Sequence, residues 1–133
     1  MGQQQLLLLV LAAILVGIAV LLGISMFHEN AAQANLNAVT QHCLYLGAQA
    51  QGWYKRPAAM AGGGQSFTGF DLTDLGMAAV DTTTDGTFTS AVISATSITI
   101  TGTGNEDLDD NGTPLVVTAT VTNTSASITS VVK

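Results

Sequence analysis

The strongest constraint on this chain is the run Leu6–Phe27. Its 22 consecutive positions hold only Leu, Ile, Val, Ala, Met and Phe, apart from Gly17, Gly23 and Ser25, and no charge precedes Glu29. As an α-helix rising 1.5 Å per residue, the run spans about 33 Å, roughly the hydrocarbon thickness of a bilayer. A helix apolar on every side cannot serve as the surface helix of a soluble domain, which keeps one side polar. It must lie in lipid or be covered by copies of itself. A cleaved secretory signal fits poorly, although Ala31-Ala32-Gln33-Ala34 imitates a cleavage site. Such signals open with basic residues and carry a shorter apolar stretch, whereas no Lys or Arg precedes Lys55. The run is expected to be a permanent element.

Beyond it the helical pattern continues in a different form. Ala32, Leu36, Val39, Cys43, Leu46, Ala50 and Trp53 are spaced 4-3-4-3-4-3, a single stripe on a helix with Asn, Gln, Thr and His between. Pro57 supplies the stop. One helix is therefore expected from about residue 4 to about residue 54, with a fully apolar first half and an amphipathic second half.

The remainder alternates like sheet. A Gly-rich turn, Ala61-Gly62-Gly63-Gly64, leads into mixed turn signals with a short helical turn around Leu72–Leu75. From Thr87 the residues become β-branched. Ser97–Thr101 alternates strictly, as does Leu115–Thr122, with Leu115, Val117, Ala119 and Val121 on one face and Thr on the other. Ala126, Ile128 and Val132 suggest a last strand after a tight turn at Asn123-Thr124-Ser125. The expected fold is α+β: a long N-terminal helix packed against a small antiparallel sheet of three or four strands. Four stretches follow: 1–27 the apolar helix, 28–56 its amphipathic continuation, 57–86 a Gly-rich connection, and 87–133 the sheet. Leu36, Val39, Cys43, Leu46, Ala50 and Trp53 are expected to seat the helix on that sheet.

Composition narrows function. Charged residues make up only 9% of the chain and the net charge is −6, so the basic footprint of a nucleic-acid-binding protein is absent. A lone cysteine, Cys43, excludes an intrachain disulfide framework. Asp107-Leu108-Asp109-Asp110-Asn111-Gly112 matches the first half of a calcium loop, but position twelve is Thr118 instead of a bidentate Glu. The segment is read as a solvated acidic loop, and no metal or cofactor is expected. His28 and His42 stand about four helical turns apart, too far to share a ligand. No nucleophile, base and orienting acid fall in a recognisable spacing, so catalysis is not expected.

A long helix, apolar then amphipathic, followed by a small antiparallel sheet resembles the type IV pilin superfamily of pilins, pseudopilins and related filament subunits. The segments Gly2-Gln3-Gln4-Gln5-Leu6-Leu7-Leu8-Leu9-Val10, Trp53-Tyr54-Lys55-Arg56-Pro57 and Gly62-Gly63-Gly64-Gln65-Ser66-Phe67-Thr68-Gly69-Phe70 carry the likeness. The resemblance implies a subunit inserted in the inner membrane and then drawn by a pilus assembly machinery into an extracellular, cell-surface homopolymer. With Met1 as the first residue of the assembled subunit, the glutamate that the family places fifth falls on Gln5. The helix-breaking Pro frequent in the family falls on Leu22. The family's paired C-terminal cysteines are absent.

Within the apolar run, Ala13/Gly17 and Ala19/Gly23 are small-xxx-small pairs that let helices approach closely. Gln5, Leu8, Leu11, Ala13, Leu15, Gly17, Ala19, Leu22 and Gly23 form the expected assembly set. The expected function is a structural filament subunit polymerising through this helix. The alternative is a minor pseudopilin or membrane-anchored interaction protein that does not polymerise.

Overall fold

A computed structural model describes residues 2–133 of the protein. Helix α1 (Gly2–Lys55) runs unbroken for 54 residues, about 81 Å at the standard rise. Two 3-10 turns follow at Ala58–Met60 and Leu72–Leu75. The strands are β1 (Asp81–Thr82), β2 (Gly86–Ser94), β3 (Ser97–Gly104), β4 (Val116–Thr122) and β5 (Ala126–Val132). They form one antiparallel meander in the order β1-β2-β3-β4-β5.

The sheet thus has five strands, against an expectation of three or four. The additional strand, β1, lies inside the stretch read as a Gly-rich connection. It pairs Asp81 with Phe88 and Thr82 with Thr87. Two residues are too few to show a period of two, so its pairing leaves no trace in the sequence pattern.

Alternation in β3 and β4 produces two unlike faces. Ile98 and Ile100 on β3, with Val117, Ala119 and Val121 on β4, are fully buried against α1. The opposite face carries Thr99 opposite Thr120 and Thr101 opposite Thr118, with Thr89 beside Thr101 on β2. Helix α1 contributes Val39, Cys43, Leu46, Ala50, Trp53 and Tyr54 to the core, with Leu36 partly buried against it.

The close approach of helix to sheet depends on two glycines. A Cβ at Gly102 would stand 2.8 Å from Cys43 Sγ and from Val39 Cγ1, and one at Gly47 would stand 3.0 Å from Val121. Any side chain at Gly102 would force α1 off β3, the overpacking case that costs about 1–3 kcal/mol.

The connection 57–86 does more than link. Gly63, Gly64 and Gln65 donate their backbone N–H groups to the carbonyls of Trp53, Arg56 and Tyr54 at 2.9, 2.9 and 2.8 Å. Carbonyls left open at the C-terminus of α1 are thereby satisfied. Phe67, Phe70 and Leu72 then enter the core, with the Phe70 ring edge-on to Trp53 at 5.1 Å. A tight turn at the glycines thus closes the far end of the domain.

Candidate assembly surface

Helix α1 has two halves in two environments. Every large apolar side chain from Leu6 to Phe27 is between 50% and 79% exposed, and the most apolar 18-residue window, of mean hydropathy 3.2, has none of its residues buried. The helix is therefore long and apolar enough to span a membrane. Residues 2–22 are exposed throughout, and the loop between β3 and β4 reaches the run's C-terminal end, where Leu108 stands near Leu21 and Ile24.

Each residue of the expected assembly set can be placed on this surface. Gln5, Leu8, Leu11, Ala13, Leu15, Ala19 and Leu22 are exposed, and a Cβ added at Gly17 or Gly23 would meet nothing within 4 Å. At about 100° per residue, the Ala13/Gly17 pair and the Ala19/Gly23 pair lie roughly 120° apart around the axis. They are two separate seams. Met1, which the resemblance makes the first residue of the assembled subunit, lies outside the described residues.

The packing set is found on the other half. Val39, Cys43, Leu46, Ala50 and Trp53 are buried, Leu36 is partly buried against them, and Ala32 is buried as well. Burial pushes the Cys43 thiol up from its ordinary value to about 11, a backbone hydrogen bond with Gly102 opposing the rise. This free cysteine stays protonated and enclosed, which suits packing and not cross-linking.

A further feature of this half is absent from the expected assembly set. From Asn30 to Tyr54 there is no Asp, Glu, Lys or Arg. The side turned away from the sheet exposes Gln33, Asn37, Gln41, Leu44, Tyr45 and Gln49. A solvated helix of this length ordinarily carries charge on its outer side. The same holds for the sheet, since β2 to β5 contain no charged residue. The signal was available in the sequence as a 25-residue charge gap, hidden by the more conspicuous apolar stripe running through it.

Apart from Glu29 at the middle of α1 and Asp81 on β1, charge is confined to loops, turns and ends. The His42 ring meets the Asp81 carboxylate at 2.9 Å, joining α1 to β1, and stacks on Phe88 with ring centroids 4.2 Å apart. In the acidic loop, Asp107 accepts hydrogen bonds from the backbone N–H groups of Asp109 and Gly112. Desolvation pushes the Asp107 carboxyl up, but these and neighbouring hydrogen bonds together outweigh it and hold the group below its ordinary value. Among the described residues, no three His, Cys, Asp or Glu side chains converge in a way that could hold a metal ion.

No protein-family model, curated protein or solved structure matches the chain. The architecture, one long apolar N-terminal helix on an antiparallel sheet, is compatible with a pilin-like fold.

Proposed function

We propose that this chain is the structural subunit of a type IV pilus-like extracellular filament, held in the inner membrane by its apolar helix before assembly machinery moves it into the polymer. The observation that carries this reading is the union of two surfaces on one helix. An apolar half exposed all round continues directly into a half whose outer side is uncharged for 25 residues. A domain merely tethered to a membrane needs cover for the first surface but gains nothing from leaving charge off the second. A subunit enclosed by its own copies needs both.

The energetics favour polymer once the helix leaves lipid. Burying a large apolar side chain from water contributes about 1.5–3 kcal/mol, so 16 such exposed residues between Leu6 and Phe27 far exceed the entropy lost on association. Within lipid that drive vanishes and only close packing at small residues remains. Head-to-tail contacts between unlike surfaces generate open helical polymers instead of closed rings. The role is structural, with no catalytic step and no cofactor.

Electron microscopy of material sheared from cells producing the chain, with mass spectrometry of its N-terminus, tests the reading. Thin filaments composed of this protein are the expected result. Protein confined to the membrane fraction, with no filaments, would replace it with an anchored, pseudopilin-like interaction module.

A further inference from the structure

On the filament reading above, the charged residues determine how one copy meets the next. The β3–β4 loop carries Glu106, Asp107, Asp109 and Asp110, and it lies against the helix where the apolar run ends. There His28 and Glu29 face Leu108, Asp109 and Asp110 across a cleft. Lys133 is the cation beside this group. The other two cations, Lys55 and Arg56, are exposed at the opposite end of the domain. Lys55 stands 26 residues beyond Glu29 on the same helix, about 39 Å along the axis. Among the described residues no Lys or Arg lies within 4 Å of a carboxylate, so neither patch has an intrachain partner.

We propose that the acidic end of one copy, Glu29 with the β3–β4 loop, docks on Lys55 and Arg56 of a second copy displaced about 40 Å along the helix axis toward the first copy's N-terminus.

Two independent features of the chain agree on this stagger. The first is charge. Copies aligned side by side without displacement would set acidic loop against acidic loop and cation against cation, an arrangement that costs several kcal/mol at close range. A half-length displacement turns each repulsion into an attraction.

The second is the division of the helix. Residues 2–28 and 29–55 are equal halves of α1. The same displacement lays the exposed apolar half of the first copy beside the second half of its neighbour, whose outer side is uncharged. A charged face there would be desolvated against Leu and Ile at high cost, and no such charge is present between Asn30 and Tyr54. Lipid is a poorer occupant for the acidic patch, because anionic headgroups repel it.

Paired cysteines test the docking in the full chain. Arg56→Cys and Asp109→Cys are introduced together and intact filaments are treated with a short bismaleimide. Buried Cys43 does not compete. Within one chain the two new thiols are too far apart to be bridged, so every link between them joins two copies. The expected result is a ladder of covalent multimers from the double variant, with neither single variant passing beyond dimers. Filaments that form normally yet give no ladder would overturn the docking while leaving the filament reading intact. Absence of filaments from the unmodified chain would remove both.

Charge reversal supplies a second measurement. Lys55→Glu with Arg56→Glu, or Asp109→Lys with Asp110→Lys, is expected to lower filament recovery about tenfold or more, the factor that 1.4 kcal/mol represents. Combining the two pairs restores it. Undiminished filaments in both reversals, or no recovery in the combined variant, would overturn the proposal.

Discussion

The two halves of α1 share one continuous backbone and face opposite problems. Residues 28–55 solve theirs within the chain: a stripe two or three side chains wide meets the sheet, with Val39, Cys43, Leu46 and Ala50 fully buried and Trp53 and Tyr54 all but covered. Residues 2–27 have almost no internal solution, because side chains exposed all round would need a sheet wrapped completely about them. The difference shows that the stripe determines the fold of one chain, whereas the fully apolar run determines what the chain must be next to.

Substitutions of the same kind in the two halves should therefore give unlike results. The largest effect is expected from Leu15→Asp. A carboxylate at the centre of an apolar helix costs about 2.5–3.5 kcal/mol on insertion scales, and the penalty recurs in every copy of a filament. Filaments should be lost completely while the near-ultraviolet dichroism of Trp53 and Tyr54 stays native. Normal filaments from this variant, seen by electron microscopy, would show that the run is not buried in the polymer.

Truncation sharpens the contrast. Leu46→Ala removes a fully buried side chain from the helix–sheet core and should cost about 2–5 kcal/mol. Because 1 kcal/mol moves the midpoint of a domain of this size by about 4–8 °C, the thermal transition in detergent should fall by more than about 8 °C. Leu11→Ala, the same chemical change on the exposed half, should leave that transition in place. Equal shifts would mean that the apolar run packs on the domain after all.

How much of this was legible in the sequence follows from where periodicity survives. The 4-3 spacing from Ala32 to Trp53 and the strict alternation from Leu115 to Thr122 each repeat often enough to identify an element and its inner side. Phe67, Phe70 and Leu72 enter the same core from a stretch without any period, so their burial depends on how the glycine turn folds back on the end of α1. Gly47 and Gly102 matter only because helix and sheet cross at those points, a tertiary fact that composition cannot express. On the candidate assembly surface the apolar run was plain. The uncharged outer side of the second half was not, since an absence of charge acquires meaning only once the residues are known to be exposed.

Cys43 tests the enclosure of the second half by titration. Its folded value near 11 lies above the ordinary 9.0 of a thiol, so folding favours the neutral form. The corresponding stability is fully present below pH 9 and is lost as pH rises from 9 to about 11, because the unfolded chain releases its proton first. Thermal melts across this range should show a decline that Cys43→Ala makes shallower. A variant declining as steeply as the parent would mean that the thiol reaches water.

The smallest effect is expected where the second half meets the sheet's edge. His42 lies beside the buried stripe, and its contact with Asp81 at 2.9 Å is the one side-chain hydrogen bond from α1 to β1. Both side chains remain partly exposed, so water screens the pair, and pairs of this kind contribute about 0–1 kcal/mol. The His42 ring also packs on Phe88, a contact that survives loss of the carboxylate. Asp81→Asn should therefore lower the thermal midpoint by less than about 8 °C and leave filaments unchanged, while His42→Ala, which removes the ring as well, should cost more. A loss from Asp81→Asn as large as that from Leu46→Ala would invert this order. It would mean that a two-residue edge strand, held by one side-chain hydrogen bond, anchors the helix as firmly as the apolar stripe does.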